Sequence, residues 1–124
     1  MHRNKQIAII LSDTLQSIGL QSMLTDYFPP VEISHYPTFE ALSTSGNDTF
    51  DYYFTNAALF VLYADFFLPR RSKTMVLIDG TEGEVGLSAT SHITIKASQE
   101  VIIEQLEQLF TGENNSISLS LIHI

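Results

Sequence analysis

The chain has no cysteine and few basic residues, and each shortage excludes a class of function. Without cysteine it cannot form disulfides, thiolate metal sites or cysteine nucleophiles. Six lysines and arginines stand against fourteen aspartates and glutamates, which gives a formal net charge of −8. Because proteins bind phosphate backbones through clustered basic side chains, we expect no direct nucleic-acid contact. The one basic cluster, at Arg70, Arg71 and Lys73, is too small to change that expectation.

The chain also has no long apolar run. The longest, residues 57–64, falls far short of the roughly 20 residues that span a bilayer. Basic residues followed by the apolar run 7–11 imitate the start of a signal peptide. That run is short and meets Ser12 and Asp13 without a small-residue cleavage pattern. We therefore predict a cytoplasmic protein that makes no membrane contact.

What the chain does contain is an alternation of apolar strands and helical segments. Its 124 residues, 44% hydrophobic and 16% charged, suit one globular domain. Strands are predicted at residues 7–11, 31–36, 52–55, 74–78 and 93–96, with a single helix over 57–67. Alternating strands and helices predict an α/β fold, an open parallel sheet with helices on both faces.

One connection and the end of the chain depart from that pattern. Residues 79–92 hold three glycines and no apolar period, so the helix between the fourth and fifth strands is predicted to be short or missing.

The domain is predicted to cover residues 1–112, followed by a disordered tail or the start of a truncated linker at 113–124. Residues 119–124 also match what a common sequencing-transposon end encodes, so we expect a gene fragment extended by adapter.

The most informative stretch is residues 51–56, a buried strand that opens on Asp51 and closes on Asn56. This layout resembles the third strand of a bacterial response-regulator receiver domain. In that family the strand ends on the aspartate that accepts a phosphoryl group, and that position falls on Asn56. An aspartyl phosphate needs a carboxylate nucleophile, which an amide cannot supply. The resemblance therefore implies a receiver whose phosphorylation chemistry is lost.

The resemblance covers roughly residues 6–111 and is nearest to the receivers of LuxR-type transcriptional regulators. It implies a flavodoxin-like (CheY-like), doubly wound, five-stranded parallel sheet of order 2-1-3-4-5. The family's acidic, magnesium-binding pair falls on Ser12 and Asp13, so half of it is gone. The hydroxyl residue that ends the family's fourth strand is replaced by Asp79, whereas the fifth-strand lysine is present as Lys96.

These matches predict a degenerate phosphorylation pocket made of Asp13, Asn56, Asp79 and Lys96. Two carboxylates 4 Å apart repel by about 4 kcal/mol at an effective dielectric near 20, which magnesium normally offsets. With the acceptor neutral, Lys96 can bridge Asp13 or Asp79 without a metal. We expect a pocket locked by that salt bridge, with no metal; a metal, if bound, would use Asp13 and Asp79. We expect no cofactor and no catalytic residue.

Plainer interpretations of the same residues stay open. Lys96 and Asp79 can form an ordinary surface salt bridge, and Asn56 can simply cap the helix that follows it. Residues 66–68 can be a helix end that packs on the core, or they can form a partner surface.

The predicted function is that of a signalling or interaction module, not an enzyme. It would be the amino-terminal part of a two-component-type transcription regulator, truncated before a helix-turn-helix domain. Its partners would be proteins, either a second copy or its own missing DNA-binding domain. One alternative is a working phosphorelay receiver with a non-standard acceptor. Another is a flavodoxin-like small-ligand module, although the acidic first loop at 12–14 disfavours an anionic phosphate.

Overall fold

The computed structural model of the protein describes residues 4–79 and 91–111. The strands are β1 (Lys5–Ile10), β2 (Val31–Tyr36), β3 (Tyr52–Asn56), β4 (Thr74–Ile78) and β5 (Ser91–Thr94). The helices are α1 (Thr14–Tyr27), α2 (Phe39–Ser45), α3 (Ala57–Leu62), α4 (Ala64–Phe67) and α5 (Gln99–Phe110), and a 3-10 helix covers Leu68–Lys73. Within the described ranges, helices follow β1, β2, β3 and β5, as predicted.

The five strands form one parallel sheet in the order β2-β1-β3-β4-β5. This confirms the predicted flavodoxin-like architecture. From β1 the chain goes to one side to form β2, and then crosses to the other side of β1 to form β3. Strand order therefore reverses between β1 and β3, which is the place where sheets of this kind leave a crevice at the carboxyl ends of the strands.

Strand β1 is apolar and buried from Ile7 to Ile10 because both faces of the sheet are covered there. Its residues Ile7 and Ile9 pack with side chains of α1 and α5, including Leu24 and Leu106. Residues Ala8 and Ile10 pack on the opposite face with side chains of α2, α3 and α4. The two helical layers confirm that the sheet is doubly wound.

Helix α1 turns an unexpected side to the sheet. Its buried residues are Ser17, Leu20 and Leu24, at spacings of three and four that bring them onto one face. The side chains of Leu15 and Ile18, also apolar, are 82% and 57% exposed. Apolar residues occur around much of this helix, so the sequence pattern did not reveal which of them face solvent.

The helix predicted over 57–67 is divided in two. At Tyr63 the backbone leaves helical geometry (φ −114°, ψ 43°), which ends α3 before α4 begins. Phe60, before the break, and Phe67, after it, are both buried in the same cluster. Phe67 is fully buried, which confirms that this helix end packs on the core, whereas Leu68 is 43% exposed.

Strand β5 lies earlier in the chain than predicted, at Ser91–Thr94 instead of 93–96. The amide of Ala97 donates to the carbonyl of Thr94 (3.0 Å), which turns the chain away from the sheet. The predictions for the helix between β4 and β5 and for the tail fall mainly on residues 80–90 and 112–124, outside the described residues. Among the helices that the structure describes, none is long and apolar enough to cross a membrane.

At the amino-terminal edge of the sheet, a hydrogen-bonded cluster joins the loop before β3 to the 3-10 helix. Asp48 accepts from Arg70 Nη2 (3.0 Å) and from the hydroxyl of Tyr53 (3.0 Å). The Arg70 guanidinium lies 3.9 Å from the Phe66 ring centroid, within cation–π range. The hydrogen bond from Arg70 lowers the pKa of Asp48. Burial and the bond to Asp48 raise the pKa of Tyr53 to about 12.

This cluster predicts a loss of stability in alkali. The pKa of Tyr53 is about 12 in the folded chain against an ordinary value of 10.0, so the unfolded chain releases this proton first. The contribution of Tyr53 is therefore complete below pH 10 and disappears as the pH rises towards 12. Tyr53→Phe should lower the free energy of unfolding by about 1 kcal/mol at pH 7. Urea unfolding from pH 9 to pH 12 should show a shallower alkaline decline in the variant; equal declines would contradict the assignment.

Candidate functional site

The candidate site is the edge of the sheet where the parallel strands end. Asn56 is the last residue of β3, and Asp13 follows β1. Asp79 follows β4, and Lys96 lies two residues beyond the end of β5. Because all strands are parallel, the four predicted pocket residues lie along one edge, with Asp13 and Asn56 flanking the switch point between β1 and β3.

Asn56 serves as the cap of the helix that begins immediately after it. Its backbone is extended, and its side-chain oxygen Oδ1 accepts the backbone N–H of Leu59 at 2.8 Å. That amide is one of the first-turn donors that have no partner within the helix. The capping interpretation is therefore confirmed. The half-buried side chain at the tip of the central strand is a neutral amide whose oxygen already has a partner.

Asp13 has the equivalent role at the start of α1. Its Oδ1 atom accepts the backbone N–H of Gln16 at 3.0 Å, while the residue itself is exposed to solvent. A carboxylate is favourable there because unpaired N–H groups give a helix amino terminus a partial positive charge. The two residues beside the switch point thus both stabilise helix ends.

Asp79 and Lys96 are placed differently. Asp79 is half-buried and has an interaction partner, whereas Lys96 is exposed. Among the residues that the structure describes, Lys96 forms no ion pair with Asp13 or Asp79; the ion pair found there joins Arg70 and Asp48. The salt bridge expected to lock the pocket is thus not observed, because β5 ends at Thr94 and leaves Lys96 on an exposed turn.

In residues 4–79 and 91–111, no group of three or more His, Cys, Asp or Glu side chains lies close enough together to hold a metal ion. One carboxylate oxygen of Asp13 already accepts a helix N–H.

Two residues that the sequence analysis did not single out fix the end of β1. The buried Thr55 hydroxyl donates to the carbonyl of Ile10 (3.1 Å), which ties β3 to β1. The Nε2 of His35 donates to the carbonyl of Leu11 (2.8 Å), which ties β2 to the same point. The signal for Thr55 was a polar residue inside an apolar strand, since a buried hydroxyl needs a partner.

Comparison with known proteins does not assign the chain to a family. A scan against protein-family models, a search of curated proteins and a search of solved structures found no match to the chain.

The Asn56 cap can be tested by substitution. Asn56→Ala removes the acceptor for the Leu59 N–H and should lower the free energy of unfolding by about 0.5–2 kcal/mol. Asn56→Asp keeps an acceptor oxygen and is the matched control, expected to stay close to the wild type. Urea titration followed by circular dichroism measures both. If the two variants lose the same stability, the side-chain oxygen is not the stabilising group.

Proposed function

We propose that the chain is a receiver-like protein-interaction module whose state is not set by phosphorylation. One observation carries the proposal. The side chain at the tip of β3, beside the crevice, is the amide of Asn56, and its oxygen accepts a helix N–H. The strand order and the crevice between β1 and β3 are those expected of a receiver.

The chemistry of phosphoryl transfer explains why Asn56 decides whether the tip of β3 can be phosphorylated. A carboxylate oxygen would have to attack phosphorus, forming a new P–O bond as the bond to the donor's leaving group breaks. The neutral amide of Asn56 is a poor nucleophile, and of the family's acidic pair only Asp13 remains. Without the acyl phosphate, a change of state requires a partner or ligand that binds one conformation better than another.

The kind of protein to which the chain would belong is suggested by its resemblance to LuxR-type receivers. The chain would be the receiver-like part of a cytoplasmic transcription regulator that also contains a helix-turn-helix domain. It would act through protein contacts and not as an enzyme. The net charge of −8 favours leaving DNA contact to another domain, because a strongly acidic surface repels the phosphate backbone.

The competing function is phosphorelay through a different acceptor, and one observation favours it. Asp79 is a half-buried carboxylate that follows β4, the strand next to β3. It therefore lies along the same edge as Asn56.

Acetyl phosphate separates the two functions. Incubated with acetyl phosphate and Mg²⁺, the wild-type chain should show no added phosphoryl group by intact-mass spectrometry, because Asn56 offers no carboxylate. An active receiver domain treated in parallel is the reagent control. A stoichiometric adduct on the wild type would overturn the proposal. In that case Asp79→Asn, set against Asp13→Asn, would show which carboxylate accepts the group.

A further inference from the structure

Strand β2 forms one edge of the sheet, and half of its backbone groups point outward. The carbonyls of Pro30 and Tyr36 accept amides of the β1 segment (3.1 and 3.2 Å). In a parallel pair every second residue bonds to the neighbouring strand, so the N–H and C=O groups of Val31, Ile33 and His35 point away from the sheet. In residues 4–79 and 91–111, these outward backbone groups form no hydrogen bond.

The opposite edge, β5, is shorter and partly closed. It has four residues, against six in β2. The amide of Ile95 donates to the carbonyl of Ile78 on β4 (2.8 Å), so the amide of the preceding residue, Thr94, points outward. Gln105 of α5 accepts that amide through Oε1 (3.2 Å). Covering an edge in this way blocks pairing with another chain, and the described residues give β2 no such cover.

Helix α1 adds an apolar side to the β2 edge. One flank of the helix, with Gln16 and Met23, lines a groove against β4 and β5. Ile18 is two positions after Gln16 and so lies on the other flank, which faces β2. Its side chain is 57% exposed. On the same face of the sheet, Val31 and Ile33 are half-buried. We call these three side chains and the outward backbone of β2 the β2 ledge.

The other face of the β2 ledge is polar and negative. Glu32 is exposed there and accepts a hydrogen bond from the side chain of Gln6. Opposite charges on neighbouring strands attract, whereas like charges repel, so a strand placed beside Glu32 should carry a basic residue. The net charge of −8 also favours a basic partner over an acidic one. Strand β2 itself contains no lysine or arginine, so a second copy would not supply that charge.

We propose that the β2 ledge binds an extended segment of a partner protein as a sixth strand, in which β-branched apolar residues alternate with lysine or arginine. Free N–H and C=O groups along an edge pair with an extended backbone, whereas the backbone groups of a helix are already bonded. Alternate side chains of a strand point to opposite faces, so the apolar ones would meet Ile18 and Ile33 and the basic ones Glu32. This inference deepens the proposed function, on which it rests, by naming the surface and the chemistry of the partner.

Hydrogen exchange of the free ¹⁵N-labelled chain tests whether the edge is open. The amides of the three outward residues should exchange at least about tenfold faster than those of the alternate residues bonded to β1, which are Glu32, Ser34 and Tyr36. Equal protection along β2 would overturn the proposal, because another part of the chain would then already cover the edge.

Peptide binding tests the chemistry of the partner. The probe is the peptide acetyl-Lys-Val-Lys-Val-Lys-Val-Lys-amide, and its control is acetyl-Lys-Lys-Val-Val-Val-Lys-Lys-amide, which has the same composition without the alternation. The probe should shift and protect the amides of Val31, Ile33 and His35, and the control peptide should bind more weakly. Equal binding of the two peptides, no binding of the probe, or shifts centred elsewhere would overturn the proposal.

Variants test the backbone pairing. Ile33→Pro removes an outward N–H and should weaken probe binding by about tenfold or more, whereas Ile33→Val keeps the N–H and is the matched control. Circular dichroism establishes that the variants fold. Val31→Pro replaces Ile33→Pro if the latter does not fold, because proline is tolerated as the first residue of a strand. Equal weakening by Ile33→Val would contradict the backbone pairing.

A second pair of variants tests the charge. Glu32→Gln should weaken probe binding by about threefold, and Glu104→Gln makes the same change of charge on exposed α5 with no such effect. Equal effects would contradict recognition at Glu32. Because peptide binding is read by amide signals and phosphorylation by mass, a chain that binds the probe and also forms a phosphoryl adduct would overturn the proposed function alone. A chain that does neither would overturn this inference alone.

Discussion

The hydrogen bond from the Leu59 amide to the side chain of Asn56 is the constraint on which this account depends. It joins the carboxyl end of the central strand to the helix that follows and holds the Asn56 side chain at the switch crevice. A phosphorylatable receiver places a nucleophile at this position. Here the tip of β3 holds a neutral side chain that caps a helix, and under the proposed function this position has a structural role in place of a catalytic one.

Neighbouring polar side chains also form hydrogen bonds with backbone groups. Asp13 caps α1, Thr55 bonds the Ile10 carbonyl, and His35 bonds the Leu11 carbonyl. Each satisfies a backbone group at the end of a strand or helix, where backbone groups lack regular partners. These hydrogen bonds fix the residues around the crevice, and within residues 4–79 and 91–111 no salt bridge from Lys96 adds to them. Under the proposed function, this fixed arrangement fits a surface that a partner recognises in one conformation better than it fits a switch that phosphorylation resets.

The sheet was predictable because strands buried on both faces are marked by continuous apolar runs, as in residues 7–11 and 75–78. The Asn56 cap was also anticipated, since Asn before a helical segment is a common start signal. The inward side of α1 was not predictable, because Leu15 and Ile18 are as apolar as the buried Leu20 and Leu24.

Other features depend on contacts between distant parts of the chain. No glycine or proline in the sequence marks the helix break at Tyr63. At this break the Tyr63 ring stacks on the ring of Phe39, with centroids 3.9 Å apart. The bond between Arg70 and Asp48 joins residues 22 positions apart, which local patterns do not register. Strand β5 ends at Thr94, so Lys96 lies beyond the sheet and does not form the expected salt bridge with Asp13 or Asp79. The ends of strands are the least reliable part of a prediction from sequence.

The central claim is tested most directly by nuclear magnetic resonance of the ¹⁵N-labelled chain during addition of Mg²⁺ and beryllofluoride, which mimics a phosphoryl group on a carboxylate. The account predicts that the side-chain amide signal of Asn56 and the backbone signals of Asp13, Leu59 and Lys96 stay in place through the titration. A new, saturable set of signals centred on these residues would contradict it, because it would show that the crevice still binds the phosphoryl mimic.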